Sequence, residues 1–88
     1  MIRRRVVVRG RVQGVFYRDT CQREARRRHV AGWVSNRDDG AVEAVFEGAE
    51  DAVSAMVAWA KIGPRSADVV DAEVHEEPPE GMVDFRIR

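Results

Sequence analysis

"WVSNRDDGAVEAVFE", residues 33–47, reads as two strands joined by a turn, and its second half decides what kind of sheet the chain builds. In "AVEAVFE" the residues Val42, Ala44 and Phe46 alternate with Ala41, Glu43, Val45 and Glu47. Successive side chains of a strand point to opposite faces, so Val42, Ala44 and Phe46 form the buried face and the glutamates are expected in solvent. The preceding "RDDG" ends in Asp-Gly, a pair that accepts the positive φ values of a tight hairpin. A sheet that is apolar on one face calls for one covering layer, and only one.

Working outward, both flanks supply a helix. "AEDAVSAMVAWAKIGP" (49–64) places Glu50 and Asp51 in a first turn, Val53, Met56, Val57 and Ala60 on one stripe, and Gly63-Pro64 as a stop. On the other side, residues 19–30 are rich in Glu, Gln, Ala and Arg, with Tyr17, Cys21 and Ala25 at i, i+4 and i+8, and Gly32 is expected to end that helix. Residues 3–9 carry the β-branched run Val6, Val7, Val8; "ADVVDAEVHEE" (67–77) is a further strand, "PPEGM" a turn and "VDFRIR" a last strand. The order β-α-β-β-α-β with one additional short C-terminal strand predicts an α+β, ferredoxin-like sandwich, with two helices on one face of an antiparallel sheet.

At 88 residues the chain has room for one core, so residues 1–88 are expected to form a single domain. A hydrophobic fraction of 44% beside 34% charged residues suits a globular protein, and no apolar run reaches the length of a bilayer span. The N-terminus "MIRRRVVVRG" lacks the apolar core of a signal peptide, and the lone Cys21 has no internal disulfide partner; both point to the cytoplasm. Net charge is zero but uneven: residues 1–44 hold eleven Arg against five acids, and residues 45–88 four Lys and Arg against ten acids. Such halves either complement each other within the fold or leave one end positive enough to attract anions.

The right-handed crossover through the first helix makes strands one and two parallel, with strand three between them, so their C-terminal ends share one edge of the molecule. That brings "GRVQGVFYR" (10–18) beside "VSNRDDG" (34–40), and Arg18 beside Asn36. Gly10 and Gly14 permit backbone angles that turn successive N–H groups inward as an anion nest, the following helix adds its unpaired N–H groups, and Arg18 adds a forked, permanent charge. Two glycines between strand and helix also serve as a plain turn, and apolar loop residues such as Val15, Phe16 and Tyr17 commonly plug a core. The spacing matches neither a Walker A loop nor a dinucleotide fingerprint.

"GRVQGVFYR" is very similar to the first acylphosphatase motif, Gly-x-Val-Gln-Gly-Val-x-x-Arg, and "GWVSNRDDGAVEAVFEG" (32–48) is similar to the second; "WAKIGPRSADV" resembles the segment closing that family's second helix. The resemblance covers nearly the whole chain. It implies metal-independent hydrolysis of the carboxyl-phosphate bond of acyl phosphates, with no cofactor. The phosphate cradle it implies falls on the backbone of Gln13, Gly14, Val15, Phe16 and Tyr17 with Arg18, and the implied catalytic pair is Arg18 and Asn36. Asn36 is no strong base, but its amide can hold a water in line with phosphorus. A small acyl phosphate is then the substrate, and inorganic phosphate the product and a competing ligand. Neither nucleic acid nor membrane is an expected partner, and a monomer is expected. Two positions depart from the family pattern: Tyr17, where Phe or Met is usual, and Ser35, where a longer and often basic side chain precedes the asparagine.

Rival chemistries are weaker. Cys21 and Arg27 have the spacing of cysteine-dependent phosphatases, but the intervening "QREAR" is helical and glycine-free where that chemistry needs a loop. His29 and His75 have no partner pattern for a triad or for zinc. The triplets "RRR" at 3–5 and 26–28 could meet nucleic-acid phosphates, yet the clustered aromatics of an RNA-binding sheet are missing.

Overall fold

The structure is a computed structural model and describes residues 1–88. Its elements are β1 (Ile2–Arg11), α1 (Tyr17–Arg27), β2 (Ala31–Asn36), β3 (Val42–Gly48), α2 (Glu50–Ile62), β4 (Asp68–Glu77) and β5 (Phe85–Ile87), and the strands lie in the order β4-β1-β3-β2-β5. β3 pairs antiparallel with both β1 and β2, so those two run parallel as the crossover requires.

The expected antiparallel sheet is corrected at its far edge, because β5 pairs parallel with β2 through Gly32–Phe85, Trp33–Arg86 and Val34–Ile87. β4 ends beside Arg3, at the same end of the sheet where β2 begins. The chain crosses that end through residues 78–84 and turns back, which fixes the direction of β5. The strand is also shorter than "VDFRIR": Val83 stands 96% exposed before it.

The core is the layer between sheet and helices. Val6, Val8, Val34, Val42, Ala44, Phe46 and Phe85 meet Tyr17, Cys21 and Ala25 of α1 and Val53, Met56 and Ala60 of α2. Phe46 and Phe85 stack with ring centroids 5.8 Å apart. The opposite face departs from expectation, since Val45 and Glu47 are as buried as the core. Val45 lies between Arg5 and Trp33 in the strand register, and the Arg5 stem is held down by Glu77 and Glu43.

Glu47 is covered differently. Its carboxylate accepts N–H bonds from Glu80 at 2.8 Å, Gly81 at 2.7 Å and Met82 at 2.8 Å, and an Arg3 Nη1 bond at 3.3 Å. Arg3 in turn reaches Glu77. Burial pushes the Glu47 carboxyl up, but the N–H groups of Glu80 and Met82, Arg3 and the N–H of Gly81 together hold it below the usual carboxylate range. The glutamate expected in solvent is therefore the clasp of the 78–84 crossing. These pairs also answer the charge asymmetry: Arg3, Arg4 and Arg5 of the basic half are matched by Glu47, Glu76 and Glu77 of the acidic half.

α1 ends earlier than Gly32. Val30 N–H donates to Ala25 at 2.8 Å and His29 N–H to Arg26 at 3.1 Å, a Schellman closure with His29 at φ 57 in the place glycine usually takes. Gly32 belongs to β2 instead, where a Cβ would collide with the Val45 carbonyl.

Candidate active site

Residues 12–16 connect β1 to α1. Gly14 at φ 72 and Phe16 at φ 63 are both left-handed, with Val15 between them. Alternating hand in this way turns consecutive peptide N–H groups toward one point. None of the N–H groups from Gln13 to Asp19 donates to another group of the chain; the first to do so is Thr20, to the Phe16 carbonyl at 3.2 Å. Seven consecutive donors therefore open at the N-terminus of α1, where the helix dipole favours an anion. Gly10 plays no part in this. It sits at a register shift in β1, where a Cβ would collide with the Asp68 carbonyl, so its glycine serves sheet packing, and the second left-handed residue of the nest is Phe16.

Side chains hold this backbone from three sides. Gln13 Nε2 donates to the Arg37 carbonyl at 2.8 Å and the Ala41 carbonyl at 2.9 Å, tying the loop to the β2–β3 hairpin. Ser66 Oγ donates to the Val15 carbonyl at 2.7 Å, and Arg11 holds the Ser66 carbonyl. Tyr17 is buried, donates its hydroxyl to the Ala60 carbonyl at 2.6 Å and lies 5.2 Å from the Trp59 ring. Gly63 leaves space for the Tyr17 ring, because a Cβ there would come within 2.8 Å of it. The Tyr17 hydroxyl thus finds a main-chain acceptor on α2, a bond that Phe or Met could not make. Its pKa is pushed far above the ordinary tyrosine value by burial, so it stays a hydrogen-bond donor.

Arg18 lies half-buried in the first turn of α1. It belongs to none of the molecule's salt bridges, whereas Arg9 and Arg37 nearby both pair with Asp39. Asn36 closes β2. It pairs with Val42, which pairs on its other side with Val8 of β1, so the three form one row across the sheet. Two residues after the core residue Val34, Asn36 points to the helix-covered face, at the end from which α1 starts. The side-chain bond at this position is Ser35 Oγ to the Asn36 main-chain carbonyl, which leaves the Asn36 carboxamide free. The expected site residues 13–18 and 36 are thus gathered at one end of the molecule. The surface concavities lie elsewhere, so this is an open cradle and not an enclosed pocket.

The rival groups are not gathered. Cys21 is fully buried within a continuous α1 that also carries Arg27, and burial pushes its thiol well above the ordinary range. His29 caps α1 while His75 lies on β4, and no group of three or more His, Cys, Asp or Glu forms a metal-type cluster.

The acylphosphatase family model matches residues 4–87. The chain belongs to the acylphosphatase family. A curated acylphosphatase of Haloquadratum walsbyi is 51% identical over 86 residues, 98% of this chain and 92% of its own. The solved acylphosphatase from Bacillus subtilis superposes with a TM-score of 0.95 at 45% identity, covering 100% of this chain and 99% of that one. The acylphosphatase fold also recurs inside a larger protein: full-length HypF, solved in its phosphate- and nucleotide-bound form, matches with a TM-score of 0.90 at 26% identity, over 99% of this chain and 12% of that one. Sequence reasoning missed two features of the candidate site. The Gln13 side chain is a fastener as well as a backbone position, and the Ser66 hydroxyl is a second one; neither carries a pattern that a strand or helix period would reveal.

Proposed function

We propose that this chain hydrolyses small acyl phosphates to carboxylate and inorganic phosphate, without a metal, using the backbone of residues 13–17, Arg18 and Asn36. The observation that carries the reading is the run of seven peptide N–H groups without an internal acceptor, opening where the Asn36 amide is also free. Phosphoryl oxygens seat against these donors and the Arg18 guanidinium. Dipoles and charge fixed before the reaction stabilise phosphoryl transfer, because their interaction strengthens as charge moves onto the equatorial and leaving oxygens.

Asn36 orients a water in line with phosphorus. The water oxygen forms the new P–O bond as the bond to the acyl oxygen breaks, the carboxylate departs with that electron pair, and the water's proton passes to a phosphoryl oxygen. A carboxylate leaves readily, so no strong side-chain base is needed. Inorganic phosphate, as product, occupies the same donors and competes with substrate. The reading takes residues 1–88 as one catalytic domain, monomeric and cytoplasmic. A monomer is supported by the β4 edge, where Asp68, Asp71, Glu73 and Glu76 discourage strand addition.

The test is turnover of acetyl phosphate with and without a chelator, on the wild type and two variants. Asn36→Ala is expected to lower kcat by ~10²-fold or more while inhibition by phosphate is largely kept, since water positioning acts in the transition state. Arg18→Gln should weaken both. Activity that disappears with chelator refutes the metal-free mechanism, and equal loss of phosphate binding and rate in Asn36→Ala refutes its assigned role.

A further inference from the structure

Three apolar side chains follow one another in the cradle, and the structure treats them unequally. Val15 is 8% exposed and Tyr17 2%, and both pack into the core, while Phe16 between them is 75% exposed. The other exposed large apolar residues are aliphatic; Phe16 is the one aromatic among them. It also holds a left-handed backbone, φ 63 and ψ 26, that Gly or Asn would adopt more readily. Its carbonyl is engaged by Thr20 through both N–H and hydroxyl, so the conformation is fixed. An aromatic side chain at such a position adds nothing to the core and nothing to the turn.

Its place relative to the proposed phosphate site gives it a use. The Phe16 N–H is one of the converging donors, and its side chain leaves the same residue toward solvent. A phosphoryl group seated on the donors turns its remaining oxygen, the one bonded to the acyl carbon, away from them and toward the mouth. The acyl group therefore emerges beside the residues that border the cradle. Of these, Gln13, Arg18 and Asn36 are polar and Gly14 has no side chain. Phe16 is the exposed apolar surface among residues 12–18 that an acyl substituent can meet.

We propose that Phe16 is a specificity-determining residue whose ring packs against the acyl group and favours aromatic over small aliphatic acyl phosphates. The proposal rests on the phosphate site assigned above and names the substrate class that site prefers. One solvent-facing aromatic contact corresponds to roughly 2- to 10-fold in relative kcat/KM.

The test compares kcat/KM for benzoyl phosphate and acetyl phosphate in the wild type, Phe16→Asn, Phe16→Gly and Phe16→Tyr. Asn and Gly accept the left-handed backbone without the ring, and Tyr keeps the ring. Taking the ratio within each variant cancels any general change in the cradle. The benzoyl-to-acetyl ratio should fall by about 2- to 10-fold in the Asn and Gly variants and hold in Phe16→Tyr. An unmoved ratio in both ring-less variants, or an equal fall in Phe16→Tyr, overturns the role of Phe16 while leaving the phosphatase intact. A wild type that turns over neither substrate overturns the phosphatase reading itself.

Discussion

Replacing Gln13 by Leu keeps the side chain's bulk and removes both bonds that fasten the cradle to the hairpin, those to the Arg37 and Ala41 carbonyls. Each neutral bond of this kind contributes about 0.5–1.5 kcal/mol net, and a buried acceptor left orphaned costs more. Neither carbonyl is orphaned here, because Arg37 still accepts from the Gly40 N–H at 3.2 Å and Ala41 from the Arg37 N–H at 2.8 Å. The expected loss of stability is therefore near the bottom of the two-bond sum, about 1–2 kcal/mol, or roughly 4–15 °C in Tm for a chain of this size.

The kinetic effect should be larger. Gln13 connects the backbone proposed to hold phosphate to the hairpin that follows Asn36, and reacting groups misplaced by about 1 Å can lose ~10²-fold in rate. Calorimetry paired with steady-state kinetics on acetyl phosphate separates the two: kcat should fall by about 10-fold or more, with a smaller change in the phosphate inhibition constant. A Gln13→Leu protein that melts earlier but keeps wild-type kcat would show that the fastening is structural only.

Three further predictions concern stability. Glu47→Ala removes the acceptor of three N–H groups while Arg3 keeps Glu77, and should cost about 1–3 kcal/mol in urea unfolding; a loss below about 0.5 kcal/mol would mean that the clasp contributes little. Because the folded-state pKa of Glu47 lies below its unfolded value, its contribution is full above the ordinary carboxylate range and is lost as pH falls through the folded pKa. The acid limb of the stability profile should accordingly be flatter in Glu47→Gln than in the wild type, and superimposable limbs would contradict this. His29→Gly relieves a left-handed, exposed histidine and should stabilise by roughly 1 kcal/mol, with kcat unchanged; a destabilised variant would show that the imidazole makes a contact worth more than the strain.

What was legible in the chain was what repeats locally. Alternation through Val42, Ala44 and Phe46, the Asp-Gly turn and the α2 stripe each follow from neighbours in sequence, and all three hold in the structure. The same alternation put Glu47 in solvent, because the groups that bury it, residues 80–82, lie more than thirty positions away. The end of α1 was misread at Gly32 because glycine is the usual left-handed residue and here a histidine takes that role. At the candidate site, the meeting of residues 13–18 with Asn36 followed from topology, since a right-handed crossover leaves no other arrangement. The share of Gly10 in the nest did not survive, because strand pairing claims it, and the left-handed Phe16 had no signal in its side chain.

The seven free donors have a consequence for how such a site is found and how it changes. A peptide N–H is the same chemical group whatever side chain follows it, so a substitution along 14–17 to any residue but proline deletes none of the proposed donors and acts only through the backbone shape that presents them. Alanine scanning of this stretch therefore reports on turn geometry and packing, as at the left-handed Gly14 and the buried Val15 and Tyr17, and never removes a donor. Proline is the informative replacement, because it deletes the donor itself. The information that specifies the cradle therefore resides in side chains directed away from the proposed ligand: the glutamine and serine that fasten it and the valine and tyrosine that anchor it in the core, together with the glycine whose missing side chain permits the turn.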